Sequence, residues 1–167
     1  TYTTANDEQT NIYLQLLQII QNYFLSLLID SIKQVKIHYN DAKAIIIKDG
    51  FEPISNYINI LFLDHSDMEL NALVSLGTGK LYSRNSFKKF NVTYFSDHER
   101  LLVLALFLNI LAYNHHYLIF GLDEIEKINE RSKQRFNRFL TSYRELYDFA
   151  SNINGHIVLT CLTDANN

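Results

Sequence analysis

Tyr117-Leu118-Ile119-Phe120-Gly121-Leu122-Asp123-Glu124 is an unbroken apolar run that stops on two adjacent carboxylates. Its length and the polar residues on either side predict a strand buried on both faces, because such a strand reads as a continuous hydrophobic run rather than an alternating one. In an open α/β sheet, ligands gather beyond the carboxyl ends of parallel strands. Two acids placed there can hold a metal and handle a proton.

Working outward, the residues after Glu124 predict one long helix. Ile128, Ser132, Phe136, Phe139, Tyr143, Leu146, Ala150 and Ile153 recur at three- and four-residue steps, and Gly155 closes the series. His156 to Leu162 is a second apolar, partly β-branched run and predicts a second buried strand, with Thr163 and Asp164 at its end. A right-handed crossover makes two such strands parallel, so Asp123, Glu124 and Thr163 are expected at one sheet edge. Side chains alternate along a strand, which starts Asp123 and Glu124 toward opposite sides.

Upstream, the pattern is helical. Asn6-Asp7-Glu8-Gln9 supplies a cap with acids in the first turn. From there Ile12, Leu16, Ile19, Tyr23 and Leu27 form one stripe, and Tyr13, Leu17, Ile20, Phe24 and Leu28 a second beside it. Ile32, Val35, Tyr39 and Ala42 or Lys43 continue the period; the triplet Ile45-Ile46-Ile47 suits helix or strand, and helix is expected as far as Gly50. Pro53 suits the first turn of a short helix ending near Leu63. Ser66-Asp67-Met68-Glu69 is a capping box whose helix ends at Leu76-Gly77-Thr78-Gly79. Residues 80–95 read mostly as loop, with Lys80, Arg84, Lys88 and Lys89 among Tyr82, Phe87, Phe90 and Tyr94. Ser96-Asp97-His98-Glu99 opens a helix to about Tyr113, apolar on every side from Leu101 to Leu108 and therefore sandwiched inside the fold.

The chain has 167 residues, 47% hydrophobic and 20% charged, which suits one folded domain. A formal net charge of -3 gives no global argument for nucleic acid or a membrane surface. The single cysteine, Cys161, allows neither an internal disulfide nor a cysteine metal cluster and fits a cytoplasmic setting. Two uncharged stretches, residues 9–29 and 101–122, are not read as membrane spans. Gln15, Gln18, Gln21 and Asn22 put a polar stripe on the first, and Asn114-His115-His116 breaks the second. The abrupt start at Thr1-Tyr2-Thr3-Thr4 and the finish on Asn166-Asn167 read as cuts from something larger.

Apolar residues followed by Asp-Glu form the Walker B pattern of P-loop ATPases, in which the Asp orders Mg²⁺ and the Glu polarises the attacking water. Residues 71–166 resemble the ATPase domain of the bacterial phage-defence P-loop proteins of the BREX system, relatives of the AAA+ and STAND ATPases. The likeness is carried by Leu76-Gly77-Thr78-Gly79, Phe90-Asn91-Val92, the capped helix at Ser96, the run from Leu118 through Asp123-Glu124 to Ile128, and the run from Ile157 to Thr163. It implies an α/β fold, a three-layer P-loop NTPase-like parallel sheet flanked by helices, with its first strand and P-loop absent and a largely helical N-terminal half. On this reading residues 1–167 are one partial ATPase domain. Residues 1–95 are its mostly helical region, and 96–167 carry helix, Walker B strand, crossover helix and sensor strand. The resemblance further implies Asp123 as Mg²⁺ ligand, Glu124 as the water-activating catalytic residue, and Thr163 as a sensor contacting the γ-phosphate or the water. ATP is the expected ligand.

One departure matters. A phosphate cradle needs Gly-x-x-x-x-Gly-Lys-Ser/Thr between strand and helix. The nearest string, Gly77-Thr78-Gly79-Lys80, has one residue between its glycines, lacks the hydroxyl residue and follows a helix, so it reads as a helix C-terminus. The cradle is expected upstream of Thr1, and ATP with Mg²⁺ is expected to bind only when it is present. The alternative is a non-catalytic interaction module that has lost nucleotide binding. A hydrolase using the acids without ATP lacks a nucleophile elbow or a spaced carboxylate partner.

Lys127, Arg131, Arg135 and Arg138 line one side of the helix after Glu124, where an arginine acting in trans on a neighbour's nucleotide or contacts to DNA phosphates compete with a solvated face beside Glu126 and Glu130. Expected partners are other domains of the same protein or further copies of it, with DNA as a candidate and no membrane. Asp64-His65-Ser66-Asp67 is read as structural, and His115-His116 as no metal site.

Overall fold

The computed structural model describes residues 22–80, 83–115, 118–122, 125–150 and 157–161. Within these ranges helix follows helix: α1 (residues 22–37), α2 (Tyr39–Ile46), a 3₁₀ turn (Glu52–Ile54), α3 (Ser55–Leu61), α4 (Asp67–Gly77), α5 (Arg84–Lys89) and α6 (Asp97–His115). After α6 come β1 (Leu118–Leu122), α7 (Glu126–Arg131), α8 (Lys133–Ala150) and β2 (Ile157–Cys161).

The expected three-layer parallel sheet is not what these residues build. The described fold is mostly helical, and its strand content is one ribbon in which β1 lies parallel to β2, from Leu118 opposite Ile157 to Leu122 opposite Cys161. Two five-residue strands do not make a layer, since a sheet needs more strands and a covered face to stand as a structural unit. The expectation that β1 is buried on both faces also fails, because Ile119 is 74% exposed.

The organising element is α6. Leu102, Val103, Ala105, Leu106, Ile110 and Ala112 are among its buried residues, spread around its circumference as the unbroken apolar sequence predicts for a central helix. Around it gather Leu25, Leu28, Ile32 and Val35 from α1, Ala42 and Ile46 from α2, Tyr57 and Leu61 from α3, and Leu73 and Val74 from α4. Leu146 and Ala150 close the same core from the C-terminal end of α8. The buried face of α1 is rotated from the stripes read in the sequence. Tyr23 and Phe24 are exposed, whereas Leu25, Leu28, Ile32 and Val35 are inside. The stripe positions before residue 22, and the cap at Asn6, lie outside the described residues.

Helix ends follow their local chemistry. At α4, Ser66 accepts from the Glu69 backbone N–H while the Glu69 carboxylate accepts from the Ser66 N–H, closing the predicted box. At α6 the Ser96 N–H donates to the Glu99 carboxylate at 2.6 Å, and the Glu99 N–H returns to Ser96 Oγ at 3.2 Å. Ser96→Ala removes the hydroxyl that closes the N-terminus of the central helix. It is expected to cost about 1 kcal/mol, read as a lower urea midpoint with an unchanged slope.

Three boundaries differ from the sequence reading. The helix expected to reach Gly50 ends at Ile46, and Gly50 turns the chain with φ +98°. Residues 80–95 contain α5 rather than only loop, with the Ser83 hydroxyl capping Ser86 N–H and Phe87 buried beneath. The long helix after Glu124 is two helices, broken at Ser132, whose hydroxyl accepts from the Arg135 N–H at 3.3 Å to start α8.

Candidate functional site

The parallel ribbon brings the ends of the two apolar runs together. Leu122 and Cys161 are register partners at the carboxyl ends of β1 and β2. Asp123 and Glu124 follow Leu122 directly in sequence, and Thr163 follows Cys161 by two positions. Asp123, Glu124 and Thr163 themselves lie outside the described residues. α6 packs against β1, against α8 and against α2, so the strand that leads to the two acids is seated on the central helix.

The glycine string before α5 has a different use from phosphate binding. The Thr78 N–H donates to Val74 O at 2.9 Å and the Gly79 N–H to Leu76 O at 3.3 Å, which turns both amides back onto the last turn of α4. Gly79 adopts φ +78°, the left-handed conformation that ends helices. A Cβ on Gly77 would stand 2.5 Å from Phe107 Cζ and 2.6 Å from the Tyr57 hydroxyl, so this glycine lets α4 approach the core. A cavity of about 530 Å³ borders the turn, walled by Phe24, Leu76, Leu104 and Phe107 with Arg100 at its side. Its walls are chiefly apolar, and no carboxylate among the described residues lines it.

The acidic cluster ahead of α4 is structural, as its capping role predicts. Lys36 donates to Asp64 at 2.5 Å and also to Leu63 O, and Lys33 donates to Asp67 at 2.6 Å, fastening α1 to the start of α4. His65 Nε2 lies 2.6 Å from Ile60 O. The Lys36 ammonium holds the Asp64 carboxyl below its usual range, and the Ser66 N–H does the same for Glu69. A carboxyl shifted down in the folded state contributes stability above the ordinary carboxylate range that is lost as pH falls through the lowered value. Among the described residues no three His, Cys, Asp or Glu side chains gather as metal ligands.

Two buried polar groups escaped the sequence reading. Asn109 sits fully buried inside the apolar run of α6 and donates from Nδ2 to Ile46 O at 3.0 Å and Phe149 O at 3.4 Å. Lys48 follows the apolar triplet 45–47, and its Nζ is buried without a hydrogen-bond partner among the described residues. Burial pushes its pKa down. It borders a cavity of about 300 Å³ shared with Lys43, Glu52, Ser55 and Asn59. An isolated polar residue in an apolar run is the signal for Asn109, whereas nothing in the sequence distinguishes Lys48 from a surface lysine.

Arg131, Arg135 and Arg138 are exposed, and so is Lys127. No helix among the described residues is long and apolar enough to cross a membrane. Compared with protein-family models, curated proteins and solved structures, the chain matches none.

Proposed function

We propose that this chain supplies the Mg²⁺- and water-handling half of an ATP-hydrolysing site in a larger cytoplasmic protein. The observation that supports this reading is the ribbon's register. Leu122 is paired with Cys161, Asp123-Glu124 follow Leu122 directly in sequence, and Thr163 comes two residues after Cys161. The donor chemistry fits: carboxylate and hydroxyl oxygens suit a hard cation and a phosphate-bound water. Asp123 would hold Mg²⁺, Glu124 would take a proton from water, and Thr163 would hydrogen-bond the γ-phosphate oxygen or that water. With Mg²⁺ bound, ATP would supply the phosphoryl group that water attacks. The phosphate cradle must come from residues other than these 167, because no Gly-x-x-x-x-Gly-Lys-Ser/Thr string occurs here.

Glu124→Gln in the cradle-containing protein tests this. ATP turnover is expected to fall about 100-fold or more with nucleotide affinity kept, and unchanged turnover would sink the assignment. The chain on its own is expected to show no saturable ATP binding by calorimetry up to about 1 mM.

A second reading, a non-catalytic helical interaction module, is favoured by the Gly77–Lys80 turn, in which the Thr78 and Gly79 amides are spent on α4, and by the apolar walls of the adjoining cavity. Normal ATP turnover in a Glu124→Gln, Asp123→Asn double variant would favour the module. Domains of the same protein or further copies of it are the partners that either reading calls for.

A further inference from the structure

The cavity beside the turn after α4 is graded from apolar to charged. Leu76 and Phe107 are buried at its base, Leu104 is half-buried, and Phe24 and Arg100 stand exposed at its rim. A second cavity, of about 390 Å³, shares Phe24 and Gly79 with the first and adds buried Leu25 and exposed Lys80. The two therefore adjoin, each carries one cation among its described residues, and no acidic residue among them lines either. Gly79 leaves the way in open, since a Cβ built there would meet nothing within 4 Å. The turn itself offers a ligand little. The Thr78 and Gly79 N–H groups are bonded to α4, and the Thr78 hydroxyl donates to Ser75 O at 3.3 Å.

We propose that these adjoining cavities bind a free amphipathic carboxylate, its hydrocarbon tail against Phe24, Leu76 and Phe107 and its head paired with the rim cations Arg100 and Lys80. The larger cavity, about 530 Å³, falls within the range of roughly 300–1,000 Å³ usual for small-molecule sites, which are mostly apolar with a few polar groups that fix orientation. An apolar base favours a tail that water does not solvate well. Charge complementarity then selects the head. Arg100 lies on the first turn of α6 with Nη1 3.9 Å from Asp97 Oδ1, and its planar fork suits a second carboxylate. A neutral amphiphile would leave both cations unused, and a cationic one would be repelled. A bilayer is disfavoured because the apolar surface is recessed: Leu25, Leu76 and Phe107 are buried at the base, and a flat membrane meets only the rim. None of these residues belongs to the proposed ATP site.

The experiment is isothermal titration calorimetry of the purified protein with octanoate, octanol and octyltrimethylammonium, each kept below micelle formation. Octanoate is expected to bind with a Kd of roughly 10–500 μM, and the other two at least about fivefold more weakly. Lys80→Gln with Arg100→Gln is expected to weaken octanoate about fivefold and to leave octanol unchanged, because only the charged head loses a partner. Leu104→Trp, which puts bulk into the larger cavity, is expected to weaken octanoate and octanol alike, about tenfold. Arg135→Gln with Arg138→Gln on α8 serves as a control that keeps wild-type affinity, and circular dichroism confirms that each variant is folded. Absence of saturable octanoate binding overturns the proposal, and so does wild-type octanoate affinity in the Lys80, Arg100 double variant. Octanol binding as tight as octanoate does the same, as does capture by phosphatidylglycerol vesicles that octanoate fails to compete away.

Discussion

Asn109→Ala is expected to lower the unfolding free energy by about 2–4 kcal/mol, measured by urea denaturation. The side chain is small and exposes nothing, yet it ties three elements together. Its Nδ2 donates to Ile46 O at the end of α2 and to Phe149 O near the end of α8, while its own backbone belongs to α6. Alanine leaves both carbonyls without that donor, and an unsatisfied buried acceptor costs about 1–3 kcal/mol. Asn109→Leu restores apolar volume but not the donor, so it is expected to remain well below wild type. A leucine variant as stable as wild type would show that packing, not the amide, holds the junction. Asn109 Oδ1 accepts nothing from the described residues, so among them the amide is held by its donor side.

The second large effect is expected at Gly77. Gly77→Val should cost about 3 kcal/mol or more, because extra atoms forced into a filled core displace side chains from their rotamers. The atoms in the way are not the ends of flexible surface chains. Phe107 and Tyr57 are both buried, and Tyr57 is further held by its hydroxyl donating to Leu73 O at 2.8 Å and by edge-to-face contacts with Phe95 and Phe107. Burial also pushes the Tyr57 phenol far above its usual pKa, so it remains a donor at any ordinary pH. Gly77→Ala separates the two influences on this position. Alanine gains about 1 kcal/mol of helix propensity, against a Cβ placed 2.5 Å from the Phe107 ring, and is expected to be net destabilising. An alanine variant more stable than wild type would mean that the ring yields. Thermal unfolding of the pair gives the answer.

Much of the helical half is legible in the sequence, for reasons that are local. The boxes at Ser66 and Ser96 are complete within four residues, and the uninterrupted apolar run after Leu101 can be satisfied only by a helix covered on all sides. Periodicity failed where elements are short or interrupted. α5 has six residues, too few for a stripe to declare itself, although Ser83 before a buried Phe87 was a readable cap. Ser132 fitted the stripe by spacing, yet its hydroxyl starts a new helix at α8. The sheet was misjudged for a different reason. An apolar run such as 117–122 records a preference for burial but not what provides it, and in the described fold Ile119 faces outward. The candidate site was read from residue types at the ends of two runs. Those runs do pair at Leu122 and Cys161, but Asp123, Glu124 and Thr163 fall outside the described residues. Asn109 and Lys48 were missed because burial of a polar group is a property of the assembled core.

The pairing of residue 118 with residue 157 also bears on how far the chain must search to fold. That ladder closes a loop containing α7 and α8, but the helical core is tied over longer stretches: the Asn109 bond to Ile46 spans 63 residues and the Asn114 bond to Ser31 spans 83. Closing a loop costs more entropy as it lengthens, so the most distant closures belong to the seating of α6 on α1 and α2 rather than to the ribbon. The edge at Leu122 and Cys161 is thus the more local of the two assemblies, and the return of α6 to the first helices sets the length of the search.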